Sequence, residues 1–217
     1  MLEHSTHPGY QIHLADTVYE PAEDSYLLID AALNEIAGSN RRLRIIEIGT
    51  GSGIVTAAMM RDAPEHRYAA TDISPHAVTC ARANRVPVVR ADLFRGIGGR
   101  FDLIIFNPPY LPTTPAERVD GWLDRAWNGG ADGRAVINRF LKHAPAFLAD
   151  RGSILLLLSS LTGIEAVRER MASVGLLVYE VASIRCPGER LVVLRGSHPL
   201  SLSPRSCQTV NTPPKTV

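Results

Sequence analysis

The sequence holds little that would mark a secreted, membrane-spanning or metal-stapled protein. Only three of its 217 residues are cysteines: Cys80, Cys186 and Cys207. They stand far apart and form no CxxC pair, so neither a disulfide framework nor a zinc site follows. The start, with Glu3, His4 and His7, lacks the apolar core of a signal peptide. The longest apolar runs, such as Ile154 to Leu158, are far too short to span a bilayer. Charge of one sign is also missing: 23 Lys and Arg oppose 22 Asp and Glu, leaving +1. No basic stripe appears, which weighs against a nucleic-acid partner without removing it. The seven histidines, at 4, 7, 13, 66, 76, 143 and 198, show no ligand spacing and read as surface or filler residues. There is no internal repeat. The expectation is a soluble chain in a reducing, cytoplasmic setting, with no metal and no membrane.

Hydrophobic residues make up 45 % of the chain, enough for one sizeable α/β core. From Ala22 to Ala37 the apolar residues Leu27, Leu28, Ala31, Ala32 and Ile36 recur on a helical face. Leu43 to Ile48 reads as a buried strand ending at Gly49, and Ile54 to Met60 as the helix after it. Tyr68 to Ile73 is a second strand, and Ser74-Pro75 opens a second helix with a capping residue followed by proline. Val86 to Val89 and Phe101 to Phe106 supply two more strands. Val136, Ile137, Phe140, Leu141, Ala144, Phe147 and Leu148 follow helical spacing. Ser153 to Leu158 is a strand, Glu165 to Val174 a helix, and Leu176 to Ile184 and Leu191 to Arg195 the last two strands. The short turn at Pro187-Gly188 permits only an antiparallel pair there. The pattern is a mostly parallel seven-stranded sheet with one antiparallel strand and helices on both faces. It occupies residues 1–196, and the Ser-, Pro- and Thr-rich segment 197–217 reads as a disordered tail.

Between the first strand and its helix lies Glu47-Ile48-Gly49-Thr50-Gly51-Ser52-Gly53. Glycines let a backbone turn sharply and come close to a ligand. The pattern differs from the dinucleotide GxGxxG and from a P-loop. Asp72 ends the next strand, where a carboxylate can accept both hydroxyls of a ribose. Asp92 and Leu93 end the third, placed to meet an adenine amino group and to pack on its ring. Any one acid could be a helix cap or a solvated loop charge. Three at successive strand ends beside a glycine loop point to one site, because open α/β sheets bind ligands at the carboxyl ends of their strands. In these residues the sequence resembles the class I S-adenosylmethionine (SAM)-dependent methyltransferases, a Rossmann-like fold, over roughly residues 15 to 195. The resemblance implies SAM as cofactor, with Glu47, Gly49, Gly51 and Gly53 on its methionine part, Asp72 on the ribose, and Asp92 with Leu93 on the adenine.

Asn107-Pro108-Pro109-Tyr110 follows the fourth strand. Its bland reading is a rigid strand exit. Its chemical reading is an acceptor site. The nitrogen of an amide or aromatic amine is a poor nucleophile because its lone pair is delocalised. The Asn107 side-chain oxygen and the Pro108 carbonyl can each accept a hydrogen bond from such an NH2 group, turning it toward a methyl donor. Tyr110 offers a face for a planar group. The motif is shared by methylases of glutamine amides, adenine N6, cytosine N4 and guanine N2. It fixes the acceptor type, not its identity.

Two further stretches bear on that identity: Val18 to Leu28 (VYEPAEDSYLL) and Ala126 to Val136 (AWNGGADGRAV), the latter continuing to Phe140. With Asn107 to Tyr110 they look like the HemK-type glutamine methyltransferases, in the branch found in eukaryotes and archaea. The resemblance implies N5-methylation of the glutamine in the Gly-Gly-Gln motif of a class I translation release factor. It also implies a small zinc-binding activator subunit covering an apolar surface of a heterodimer. The N-terminal helical domain of bacterial HemK enzymes has no counterpart here. Asp24 either complements the helix dipole or lines the acceptor pocket. Trp127 is either a core aromatic or part of a substrate wall. Gly129, Gly130 and Gly133 read as turn residues and Arg134 as a solvated charge. Alternatives left open are a nucleic-acid amino methyltransferase, a protein lysine or small-molecule methyltransferase, and a catalytically silent subunit.

Overall fold

A computed structural model describes residues 3–7, 10–113, 121–122 and 127–199. Strands β1 (Glu3–His7) and β2 (Tyr10–Leu14) form a separate antiparallel hairpin. Then follow α1 (Glu23–Ile36), β3 (Arg44–Ile48), α2 (Ile54–Asp62), β4 (Arg67–Asp72), α3 (Pro75–Ala83), β5 (Val88–Arg90) and β6 (Phe101–Phe106). The chain closes with α4 (Ala135–Phe147), β7 (Leu148–Ser159), a 3-10 turn (Ser160–Thr162), α5 (Ile164–Ser173), β8 (Leu177–Cys186) and β9 (Glu189–Ser197). Seven strands make one sheet in the order β5-β4-β3-β6-β7-β9-β8. All are parallel except β9, which runs antiparallel to both β7 and β8. Among the described residues no helix is long and apolar enough to cross a membrane.

The alternation of side chains along each strand splits the core in two. On one face Ile46, Ile48, Ile104, Phe106, Leu156 and Leu194 pack against Ile137, Phe140 and Leu141 of α4 and Met171 of α5. On the other, Ile45, Leu103, Ile105, Leu155 and Val193 pack against Leu28, Ile29 and Ala32 of α1 and Val55 and Met59 of α2. A parallel strand covered on both faces has no polar side, which is why Ile154 to Leu158 reads as an unbroken apolar run.

The N-terminal hairpin was not legible in the sequence. Of the β2 side chains only Ile12 is fully buried, so no period-two pattern marks it. The helix over residues 136–148 stops at Phe147. Pro145 sits inside its last turn, and Leu148, with extended backbone, opens β7. The tail expected from Ser197 lies outside the described residues from position 200 onward.

Phe140 joins the two halves of the larger core cluster. It is fully buried, its ring 4.7 Å from that of Phe106 at the end of β6 and 5.6 Å from that of Phe94. Phe140→Ala should cost about 3–5 kcal/mol of stability. Urea unfolding should show it as a lower midpoint at unchanged m-value.

Candidate active site

The sheet changes winding direction between β3 and β6. Connections from β3 run toward the β5 edge and those from β6 toward the β8 edge, which opens a crevice above the carboxyl ends of both strands. A cavity of about 730 Å³ lies there. Its walls include Gly49, Gly51, Asp72 and Leu93 on one side and Asp24, Asn107 and Tyr110 on the other.

The loop after β3 is tied from below. Glu47 is 3 % exposed, and its Oε2 accepts hydrogen bonds from the Thr50 hydroxyl (2.6 Å), the Thr56 N–H (3.1 Å) and the Thr56 hydroxyl. Burial pushes its pKa up to about 7, against the pull of the two threonines, and the nearby Asp72 charge adds to the rise. Gly53 takes φ +85° and starts α2 hard against its neighbours. A Cβ there would stand 2.8 Å from Val86 Cγ2 and 3.1 Å from Ala81 Cβ, so only glycine lets the start of α2 approach α3 and the turn after it this closely.

Asp72 reaches back to the same loop, its Oδ2 accepting the Gly51 N–H at 2.9 Å and its Oδ1 the Ser74 N–H at 2.8 Å. Burial raises its pKa, opposed by the N–H groups of Ser74, Gly51 and Ile73. Ser74 caps α3 through its hydroxyl, with Pro75 in the first turn. Asp92 also lines the cavity, but the Arg139 guanidinium of α4 holds one of its oxygens at 2.5 Å. Leu93 beside it adopts φ +52°, a left-handed conformation that a branched side chain seldom takes. Such strain collects where a site over-determines the backbone.

Across the crevice the opposite wall of the cavity centres on Asp24. It is 3 % exposed in the first turn of α1. Its Oδ2 accepts from Asn107 Nδ2 at 2.9 Å, the Tyr19 hydroxyl at 3.1 Å and, at the limit of reach, the Tyr110 hydroxyl at 3.5 Å. Its Oδ1 takes the Ser25 N–H and hydroxyl. Asp24 therefore occupies both of its expected places, a helix start and a pocket wall. Burial and then the Asp24 charge raise both tyrosine phenols, which keeps them protonated as donors. With its NH2 committed to a carboxylate, the Asn107 amide has one orientation. Its Oδ1 is buried and has no hydrogen-bond partner among the described residues.

The stretch 127–133 clamps the exit of this motif. Leu111 N–H donates to the Trp127 carbonyl at 3.0 Å, Gly129 N–H to Leu111 at 2.9 Å and Thr113 N–H to Gly130 at 2.9 Å. Gly133, at φ +72°, lies so close under Tyr110 that a Cβ would come within 2.3 Å of the Tyr110 carbonyl oxygen. Trp127 is half-buried and lines the cavity. Arg134 is not the solvated charge expected of it. Its guanidinium donates to the Thr162 carbonyl at 2.7 Å, and the Thr162 hydroxyl donates to the Tyr110 carbonyl at 3.3 Å. Sequence reasoning missed Tyr19, Arg139, Ser159 and Glu189. Tyr19 and Arg139 lay inside stretches already singled out, whereas Ser159 and Glu189 carry no local signal.

The buried Glu47 has a pH signature. In both the folded and the unfolded chain it is protonated below about 4.5. Between there and about 7 the folded form keeps a proton that the unfolded form releases, so stability falls as pH rises. Glu47→Gln removes this dependence. Relative to that variant, the wild type should lose stability, by on the order of 3 kcal/mol at most, between pH 4.5 and 8. Urea titrations of both proteins across that range test it, and parallel pH profiles would contradict the burial argument.

A family model described as "Methyltransferase small domain" matches residues 24–119. A putative protein N5-glutamine methyltransferase of Methanocaldococcus jannaschii is 36 % identical over 192 residues, covering 86 % of this chain and 94 % of that protein. The mouse protein named Methyltransferase HEMK2 is 40 % identical over 194 residues, covering 83 % and 89 %. Among solved structures, the E. cuniculi Mtq2-Trm112 complex, described as responsible for methylation of the eRF1 translation termination factor, aligns with a TM-score of 0.68. It is 28 % identical and covers 84 % of this chain and 99 % of that one. Sheet order, glycine loop, Asn-Pro-Pro-Tyr exit and these similarities agree, and the chain belongs to the HemK-type methyltransferase family, in the branch of its archaeal and mammalian relatives.

Proposed function

We propose that this methyltransferase uses S-adenosylmethionine to methylate N5 of the glutamine in the Gly-Gly-Gln motif of a class I peptide chain release factor. The observation that carries the reading is the buried, unpartnered Oδ1 of Asn107 in the cavity wall, its amide fixed by Asp24. An acceptor oxygen left open in a buried place is costly unless a ligand donor meets it. A primary amide brings such a donor.

The cavity suits the cofactor by size and by chemistry. Glu47, Gly49, Gly51 and Gly53 would hold its methionine part, Asp72 its ribose, and Asp92 with Leu93 its adenine. Asp72 keeps acceptor capacity beyond its bonds to the backbone N–H groups of Gly51, Ile73 and Ser74, and Arg139 leaves the second oxygen of Asp92 for an amino group. When bound, SAM supplies an electrophilic methyl group on a sulfonium.

The residues of this chain do the rest by orientation. Asn107 Oδ1 and the Pro108 carbonyl, which accepts no hydrogen bond among the described residues, would each take one hydrogen of the target NH2. That turns the nitrogen lone pair into the cavity and favours the positive charge the nitrogen gains. Tyr110 and Trp127 would flank the planar amide. The methylated nitrogen is strongly acidic and loses its extra proton without a strong base. A small zinc-binding activator subunit completes the proposal. It is supported by the two-protein composition of the Mtq2 complex and by exposed apolar side chains at the sheet edges: Val89 of β5, and Leu177, Tyr179, Val181 and Ile184 of β8.

The test is transfer of labelled methyl from SAM to a class I release factor, with and without the candidate activator. A Gln→Ala variant of the Gly-Gly-Gln motif and an adenine-containing DNA serve as controls. Label should enter the release factor and vanish in the variant, whereas label in DNA alone would overturn the substrate. Asn107→Ala should lower turnover by about 100-fold or more while SAM affinity, read by calorimetry, stays within about twofold. A loss of SAM affinity at undiminished turnover would contradict the role given to Asn107.

A further inference from the structure

Glu189 stands on the acceptor wall, and nothing in the reaction above uses it. The β8–β9 hairpin turns on Pro187 and Gly188, the latter at φ +83°, a pairing typical of a type II turn. The strand that leaves this turn rests on the carboxyl end of β7. Ser160 Oγ accepts the Arg190 N–H at 3.0 Å, and the Ser159 hydroxyl donates to Glu189 Oε2. Ser159 is 0 % exposed and already accepts the Leu161 N–H at 3.1 Å, so its single proton is committed to the carboxylate. Glu189 is thus held from two directions. Its other oxygen takes no hydrogen bond, and it forms no ion pair, among the described residues.

That carboxylate faces the same cavity as Asp24, Tyr19 and Tyr110. After burial and Asp24, its charge adds a smaller part to the upward shift of both phenols. Asp24 is saturated by Tyr19, Ser25, Asn107 and Tyr110. Glu189 is not. A rigid carboxylate with an open oxygen is a receptor for N–H donors and repels phosphate.

We propose that Glu189 is a specificity-determining residue that accepts a main-chain N–H of the acceptor polypeptide next to the target glutamine. The inference rests on the release-factor reading. Each residue of a polypeptide presents one N–H, and two glycines before the target leave theirs unshielded by side chains. A nucleic acid would bring phosphates to the same wall and be disfavoured by the same charge. One residue therefore admits one class of macromolecule and opposes the other.

The test compares wild type with Glu189→Gln, which keeps the volume and an acceptor for Ser159. Both are assayed with the activator present, varying the release factor at saturating SAM. Replacing a charge-assisted hydrogen bond by a neutral one should raise KM for the release factor about tenfold, with kcat within about twofold and SAM affinity unchanged. Single-stranded RNA should inhibit the variant more strongly than the wild type. Ser159→Ala, which frees the carboxylate without removing it, should raise KM by a smaller factor. An unchanged KM in Glu189→Gln, in a wild type active on release factor, overturns the role of Glu189 alone. Lost SAM affinity with lowered kcat also overturns it, because the residue would then act through the fold or the cofactor side. A wild type that labels nucleic acid and not release factor overturns the substrate reading and the inference together.

Discussion

The hydrogen bond from Asn107 Nδ2 to Asp24 Oδ2 holds the site to one meaning. A side-chain amide is nearly symmetric in shape but opposite in hydrogen-bonding sense at its two ends. Turned the wrong way, Asn107 would present a donor to the donor of an incoming amide. The buried carboxylate breaks that symmetry. A hydrogen bond to a charged group contributes about 2 kcal/mol net, enough to favour one orientation by roughly thirtyfold. The bond spans 83 positions of sequence. It pins the first turn of α1 to the end of β6, and the hydroxyls of Tyr19 and Tyr110 close the same carboxylate from two further sides.

On the cofactor side the constraint is different in kind. Glu47 and Asp72 stand at the ends of adjacent parallel strands, where burial raises the cost of ionising each and the Asp72 charge adds to that of Glu47. Thr50 and Thr56 offset part of it for Glu47, and the backbone of the glycine loop and of Ser74 offsets part for Asp72. The same bonds fix the loop. Both acids line the cavity, so their cost to the fold falls at its wall and not within the apolar core.

The cavity wall opposite the glycine loop is assembled from parts remote in the chain: the approach to α1, the exit of β6, the clamp at 127–133 and the β8–β9 turn. Two of them are braced from outside the cavity. Arg134 and Thr162 tether the Tyr110 carbonyl, and Ser159 and Ser160 tether the hairpin. Such bracing lets short, irregular segments hold side chains in fixed places without being regular structure themselves.

What the sequence determined by itself were the features with a short-range cause. Unbroken apolar runs announced parallel strands buried on both faces, helical spacing announced α1 and α4, and a Pro-Gly turn announced the one antiparallel strand. The glycine loop, the acids at strand ends and Asn107 to Tyr110 were visible because their chemistry is local. The N-terminal hairpin was hidden, since a strand with one buried side chain leaves no period. The two readings of Asp24, the place of Trp127, the tether at Arg134 and the presence of Glu189 waited for the tertiary structure. Each depends on a partner brought near by sheet order and not by spacing. Residues 24 and 107 meet because α1 packs against the sheet, and 159 and 189 because β7 and β9 lie side by side; no local pattern encodes which distant group completes a hydrogen bond.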